Sequence, residues 1–103
     1  MKLLFTDLDG TLLNREKKIS SENLKAIERA SRQGNITIIS TGRSLSSARP
    51  YIEELASVQE HCYAVTYNGG LIYDCISRKV IYKKTIPLPY VKYIFHQAEK
   101  FQI

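Results

Sequence analysis

The chain contains only two cysteines, Cys62 and Cys75, and their spacing matches no close metal-binding or redox motif. That excludes zinc-finger and thioredoxin-type chemistry and leaves two ordinary thiols in a reducing compartment. No run approaches the ~20 apolar residues needed to cross a bilayer. The apolar start Leu3-Leu4-Phe5 stops at Thr6 and Asp7, too soon for an export signal. We therefore expect a soluble, cytoplasmic protein with no membrane partner. Internal repeats, low-complexity tracts and the interleaving of basic and aromatic residues used on nucleic acids are all absent, so no nucleic-acid partner is expected. The net charge of +5 is uneven: residues 1–50 carry nine Lys/Arg against five Asp/Glu, residues 51–103 six against five. The basic excess reads as a solvated surface or as a field that draws anionic small molecules.

At 103 residues and 44% hydrophobic content, the chain is one domain or part of one, able to bury a core without disulfides. Leu3–Asp7 is short and almost wholly apolar, which predicts a strand buried on both faces. Ser20 and Ser21 are candidate N-caps for a helix reaching about Gln33, with Leu24, Ile27 and Ala30 inward and Gly34 as the stop. Ile36–Ser40, rich in β-branched residues, predicts a second buried strand. A second helix follows to about Ser57, with Ala48, Ile52 and Leu55 inward; Ser47 as its N-cap would place Pro50 harmlessly in the first turn. Tyr63–Tyr67 predicts a third strand, ended by Asn68-Gly69-Gly70.

This β-α-β-α-β order predicts an α/β fold: a Rossmann-like parallel sheet of three strands with helices on its faces. Leu71–Cys75 and Val80–Thr85 predict a β-hairpin. After the stiff Pro87-Leu88-Pro89, residues Val91, Ile94, Phe95, Ala98 and Phe101 repeat at helical spacing. The seven tyrosines, all at or after position 51, read as packing residues on half-buried surfaces.

In parallel sheets ligands sit at the carboxyl ends of the strands. Three polar groups gather there: Asp7 and Asp9 after strand one, Thr41-Gly42-Arg43 after strand two and Asn68 after strand three. Gly10 lets the chain turn back so that the amides of Leu8 and Asp9 face an anion. Two neighbouring carboxylates repel, and a magnesium ion beside both would offset that and bind phosphate oxygens. Asp7 is placed to attack phosphorus, and Asp9 to move a proton to the leaving oxygen and from water. The blander reading, a strand-ending Asx turn, loses ground because a second polar motif closes the neighbouring strand.

Together "DLDGTLL", "IISTGR" and "YNGG" with a following hairpin resemble the motifs of the haloacid dehalogenase superfamily, Cof-type subfamily, over nearly the whole chain. The resemblance implies a magnesium-dependent phosphohydrolase acting on small phosphate monoesters, sugar phosphates by analogy, through an aspartyl phosphate. It implies Asp7 as nucleophile and metal ligand, and Asp9 as acid/base with its carbonyl on the metal. Thr11 would brace the loop, Thr41 and Gly42 would hold the phosphoryl group, and Arg43 and Asn68 would contact substrate or order the crevice. The domain division expected is 1–70 as the N-terminal part of the core, 71–86 as the hairpin, and 87–103 as linker and first helix of an α/β cap. The family's later lysine and acidic cluster do not occur in these 103 residues, so the chain reads as a truncated form. The alternatives are an inactive phosphate-binding or self-associating remnant, joined through the open edge of strand one, and a receiver-type domain. The last would need its phosphoacceptor at the end of strand three, where Asn68 stands.

Overall fold

The computed structural model describes residues 1–103. Strand β1 (Leu3–Thr6) leads through a wide turn to helix α1 (Ser21–Arg32), strand β2 (Ile36–Ser40) and helix α2 (Leu45–Val58). Strand β3 (Tyr63–Thr66) is followed by β4 (Leu71–Asp74), β5 (Lys79–Lys83) and helix α3 (Leu88–Lys100). The five strands form one sheet in the order β1-β2-β3-β4-β5. The first three are parallel, with Leu3 beside Ile36 and Ile39 beside Ala64; β4 and β5 add antiparallel to β3. The predicted α/β class is borne out, and the hairpin extends the same sheet.

Local chemistry accounts for most of the elements. Ser20 caps α1 by accepting the Asn23 N–H at 3.1 Å, and Gly34, at φ +83°, turns the chain out of it. Ala48, Ile52 and Leu55 of α2 are buried as their spacing predicts. The cap of α2, however, is Ser44, whose Oγ accepts the Ser47 N–H at 3.2 Å. The helix therefore starts one turn earlier than expected, and Pro50 lies in its second turn. There it has no N–H to give the Ser46 carbonyl, and both residues face solvent.

The helices also depart from expectation. α1 and α2 touch each other, so both lie on one face of the sheet. Successive strands step in a single direction, and crossovers of one hand then stay on one side. The core sits between that helix pair and the sheet, with Leu8, Leu12, Leu13, Ile19, Ile27, Ile39, Ile52, Leu55, Ala64 and Tyr73 in one cluster. Strand β1 is not buried: it is the sheet edge, and Leu3, Leu4 and Phe5 are 51, 61 and 56% exposed. The apolar run measured strand propensity, while coverage depends on neighbours β1 has on one side only. α3 forms over its predicted stripe but buries no residue. Tyr67, Tyr82, Tyr90 and Tyr93 are exposed rather than half-buried for the same reason, since no element packs over that end.

Candidate functional site

Strand β1 ends at Thr6, and Asp7 keeps the extended backbone (φ −75°, ψ 163°) before the chain turns. Its carboxylate Oδ1 accepts the Leu8 N–H at 2.8 Å, so that amide is already partnered by Asp7 itself. The turn closes through Leu12 N–H to the Asp7 carbonyl (3.2 Å) and Leu13 N–H to the Leu8 carbonyl (2.9 Å). Gly10, at φ +75°, supplies the left-handed step that makes this wide turn possible. The fully buried Leu8 side chain pins it to the core. Thr11 is exposed on the turn, and its side chain makes no hydrogen bond.

Asp9 faces two cations. Arg43 grips it with two nearly equal bonds, Nε to Oδ2 at 2.8 Å and Nη2 to Oδ1 at 2.7 Å, and Lys17 Nζ donates to Oδ1 at 3.1 Å. The Arg43 guanidinium, and after it the Lys17 ammonium, hold the Asp9 carboxyl well below the usual carboxylate range. Asp9 in turn pushes Arg43 above its ordinary value. Tyr51 of α2 braces both cations: its ring lies 5.4 Å from the Arg43 guanidinium carbon, and its hydroxyl donates to the Lys17 carbonyl at 2.9 Å. Lys17 and Tyr51 were not among the residues expected here. They stand 8 and 42 positions from Asp9 with no motif attached; the only local trace is the turn in which the Asn14 Oδ1 accepts the Glu16 and Lys18 amides.

The β2 and β3 ends are tied together by backbone. Asn68 N–H donates to the Thr41 carbonyl (3.1 Å) and Tyr67 N–H to the Arg43 carbonyl (3.0 Å). Thr41 is buried; its Oγ1 accepts the Arg43 N–H at 3.1 Å, and its own hydroxyl proton remains to donate. A Cβ at Gly42 would stand 2.8 Å from Asn68 Oδ1, so a side chain there would push the Asn68 amide aside. Tyr67 and Asn68 both adopt left-handed backbone (φ +52° and +54°), unusual for a tyrosine and held by those two bonds. Beside Asn68 lies an open cleft of about 710 Å³ between this turn and the Tyr82–Pro87 segment, with Lys83 and Lys84 on its wall.

Thus Asp7, Thr41, Gly42, Arg43 and Asn68 meet at the carboxyl ends of three adjacent strands, as the sequence pattern predicts. Asp9 joins them through its ion pair with Arg43. For a hard divalent cation the available oxygens are Asp7 Oδ2, which has no protein donor, and the Asp9 carbonyl, which ψ 127° turns out of the helical direction. That set fits magnesium, which keeps several waters. No group of three or more His, Cys, Asp or Glu side chains is present.

The sequence model described as haloacid dehalogenase-like hydrolase matches residues 4–103. A Bacillus subtilis 5-amino-6-(5-phospho-D-ribitylamino)uracil phosphatase is 39% identical over 92 residues, 85% of this chain and 36% of that protein. A haloacid dehalogenase-like hydrolase from Bacteroides thetaiotaomicron superposes with a TM-score of 0.81 at 32% identity, covering 96% of this chain and 37% of that one. A structure described as a subclass IIB sugar phosphatase gives a TM-score of 0.69 at 32% identity, over 97% of this chain and 38% of the other. The chain thus spans little more than a third of the length of these relatives.

Proposed function

From the premise that the chain belongs to the haloacid dehalogenase-like hydrolases, we propose that its site performs phosphoryl transfer from small phosphate monoesters to water. The observation that carries this reading is the placement of Asp7 at the carboxyl end of β1, next to a Thr41 loop that backbone bonds tie to Tyr67 and Asn68. An Asp7 carboxylate oxygen attacks phosphorus as the bond to the ester oxygen breaks, giving an aspartyl phosphate and an alkoxide. The protonated Asp9 carboxyl gives that alkoxide its proton. Water then attacks the phosphorus, Asp9 takes the water's proton, and Asp7 and inorganic phosphate are released. The Thr41 hydroxyl and the Thr41 and Gly42 backbone orient the phosphoryl oxygens. Magnesium held by Asp7 and the Asp9 carbonyl would supply charge neutralisation at those oxygens.

The Arg43 fork keeps Asp9 ionised, the state required for the hydrolytic half. Proton donation in the first half requires the fork to open. Arriving phosphate offers Arg43 a competing anion of higher charge, which favours that opening. The cleft beside Asn68 is of a size to take the alcohol part of the ester, and its lysines and tyrosines suit polar, hydroxylated groups such as a sugar. The unpartnered stripe of α3 supports reading residues 87–103 as the start of a cap.

The test is magnesium-dependent hydrolysis of p-nitrophenyl phosphate by this chain, with Asp7→Asn as the control. We expect turnover that EDTA and Asp7→Asn both abolish. Turnover indifferent to Asp7→Asn refutes the mechanism. The three bonds from Arg43 and Lys17 that hold Asp9 ionised support a second reading, phosphate binding without turnover. Saturable phosphate binding, lost with Asp7→Asn but without p-nitrophenolate release, would establish it.

A further inference from the structure

Neither cysteine enters the chemistry above. Cys62 stands immediately before β3 and Cys75 immediately after β4. The ladder pairs Tyr63 with Asp74, so its next rung opposes Cys62 to Cys75. The Cys75 N–H donates to the Cys62 carbonyl at 2.8 Å, which extends the ladder by that rung. Directly opposed residues of an antiparallel pair project to the same face. Both side chains belong to the core cluster on the helix side, 1 and 7% exposed. Opposed, hydrogen-bonded residues lie about 5.5 Å apart at Cα, inside the ~4.4–6.8 Å range a disulfide spans.

We propose that Cys62 and Cys75 are a peroxide-sensitive dithiol that closes into a cross-strand disulfide, joining β3 to β4. The two thiols are unequal. Cys62 Sγ lies 4.0 Å from the Ile52 carbonyl and Cys75 Sγ 3.9 Å from the Tyr73 carbonyl. The neighbouring Cys75, and less so Gln59, lowers the Cys62 thiol from its ordinary value, while Cys62 and burial drive Cys75 upward. In the proposed reaction Cys62 attacks and Cys75 resolves. The Cys62 thiolate attacks one oxygen of hydrogen peroxide, the O–O bond breaks, and the departing hydroxide takes a proton to become water. The resulting sulfenic acid is attacked by the Cys75 sulfur; the S–S bond forms and a second water leaves. Two thiols lose two protons and two electrons, and one peroxide becomes two waters. A dithiol reductant reverses the reaction by exchange.

The closed loop would contain the whole Tyr67–Gly70 turn that Thr41 and Arg43 hold, so oxidation restrains a wall of the cleft from the far end of β3.

Mass spectrometry of the folded chain after peroxide tests this. Trypsin does not cut between Arg49 and Pro50, so both cysteines fall in one peptide, Ser44–Arg78. We expect that peptide to be lighter by about 2 Da and to resist alkylation in denaturant until reduced. The oxidised chain should melt ~10–20 °C higher. Free thiols after peroxide, a disulfide between two chains, or separate sulfinic acids on the two sulfurs would each overturn the proposal. In Cys75→Ser, the expected product is a Cys62 sulfenic acid captured by dimedone.

Discussion

Removing the Gln59 side chain should be among the more damaging single truncations in this protein, although Gln59 is neither catalytic nor apolar. Gln59 ends α2, and its amide folds back onto β2: Oε1 accepts the Thr37 N–H at 2.8 Å, and Nε2 donates to the Thr37 carbonyl at 3.0 Å. The reason lies in the sheet. β3 pairs with β2 only at Ile39 and Ser40, which leaves the Thr37 peptide groups on that edge without a strand partner. Both residues are buried, Thr37 3% and Gln59 7% exposed. In Gln59→Ala one buried donor and one buried acceptor lose their partners together. Each unsatisfied group costs about 1–3 kcal/mol, so the pair costs roughly 2–6 kcal/mol. Against a total stability of about 5–15 kcal/mol, that is a large fraction. The melting temperature should fall by ~10–25 °C. Urea unfolding followed by far-ultraviolet circular dichroism measures it. Gln59→Leu separates bonding from packing, because it keeps most of the volume and restores neither bond; it should fall nearly as far as the alanine variant. If either variant unfolds within ~0.5 kcal/mol of the parent, with an unchanged m-value, water reaches Thr37 and the reasoning is wrong.

Two further substitutions probe the site itself. A Cβ at Gly42 would press on the Asn68 amide, a movable side-chain end, so Gly42→Ala should leave stability within ~0.5 kcal/mol of the parent. It should lower kcat/KM toward p-nitrophenyl phosphate by roughly 10- to 100-fold. In an Asn68→Gly background the same change should add little loss; strictly additive effects would show that the contact is unimportant. Arg43→Ala probes the ion pair through pH. Asp9 has a folded-state pKa held below its ordinary value by Arg43 and Lys17, so the pair's stabilisation is complete above the ordinary aspartate value of about 4 and is lost as pH falls below it. The gap in melting temperature between parent and Arg43→Ala should thus be widest near neutrality and narrow under acid. A gap independent of pH would mean that Asp9 and Arg43 are not coupled in solution.

Much of this could be read before any coordinates. The β-branched run at Ile36–Ser40 forms the strand its composition predicts, Ser20 and Gly34 bound α1, and Gly10 makes the left-handed turn after Asp7. Placement of Asp7, Thr41 and Asn68 at one end of the sheet followed from strand order alone. The errors share a cause. Ser44 and Ser47 are equally good caps by type, and only the hydrogen bond actually made distinguishes them. Leu3-Leu4-Phe5 is as apolar as a buried strand, yet burial depends on neighbours.

What the sequence settled by itself was local: which segments extend, which coil, where the chain reverses, and which carboxylates and hydroxyls stand next to a strand end. These depend on interactions spanning a few residues, written directly in the order of side chains. Only the tertiary structure decided that Arg43 and Lys17 grip Asp9, that Gln59 completes the edge of β2, and that Cys62 faces Cys75. Each of those pairs is separated along the chain by 8 to 34 residues. Their meeting depends on strand register and helix placement, which arise when the whole core packs and are not encoded by any one stretch of it.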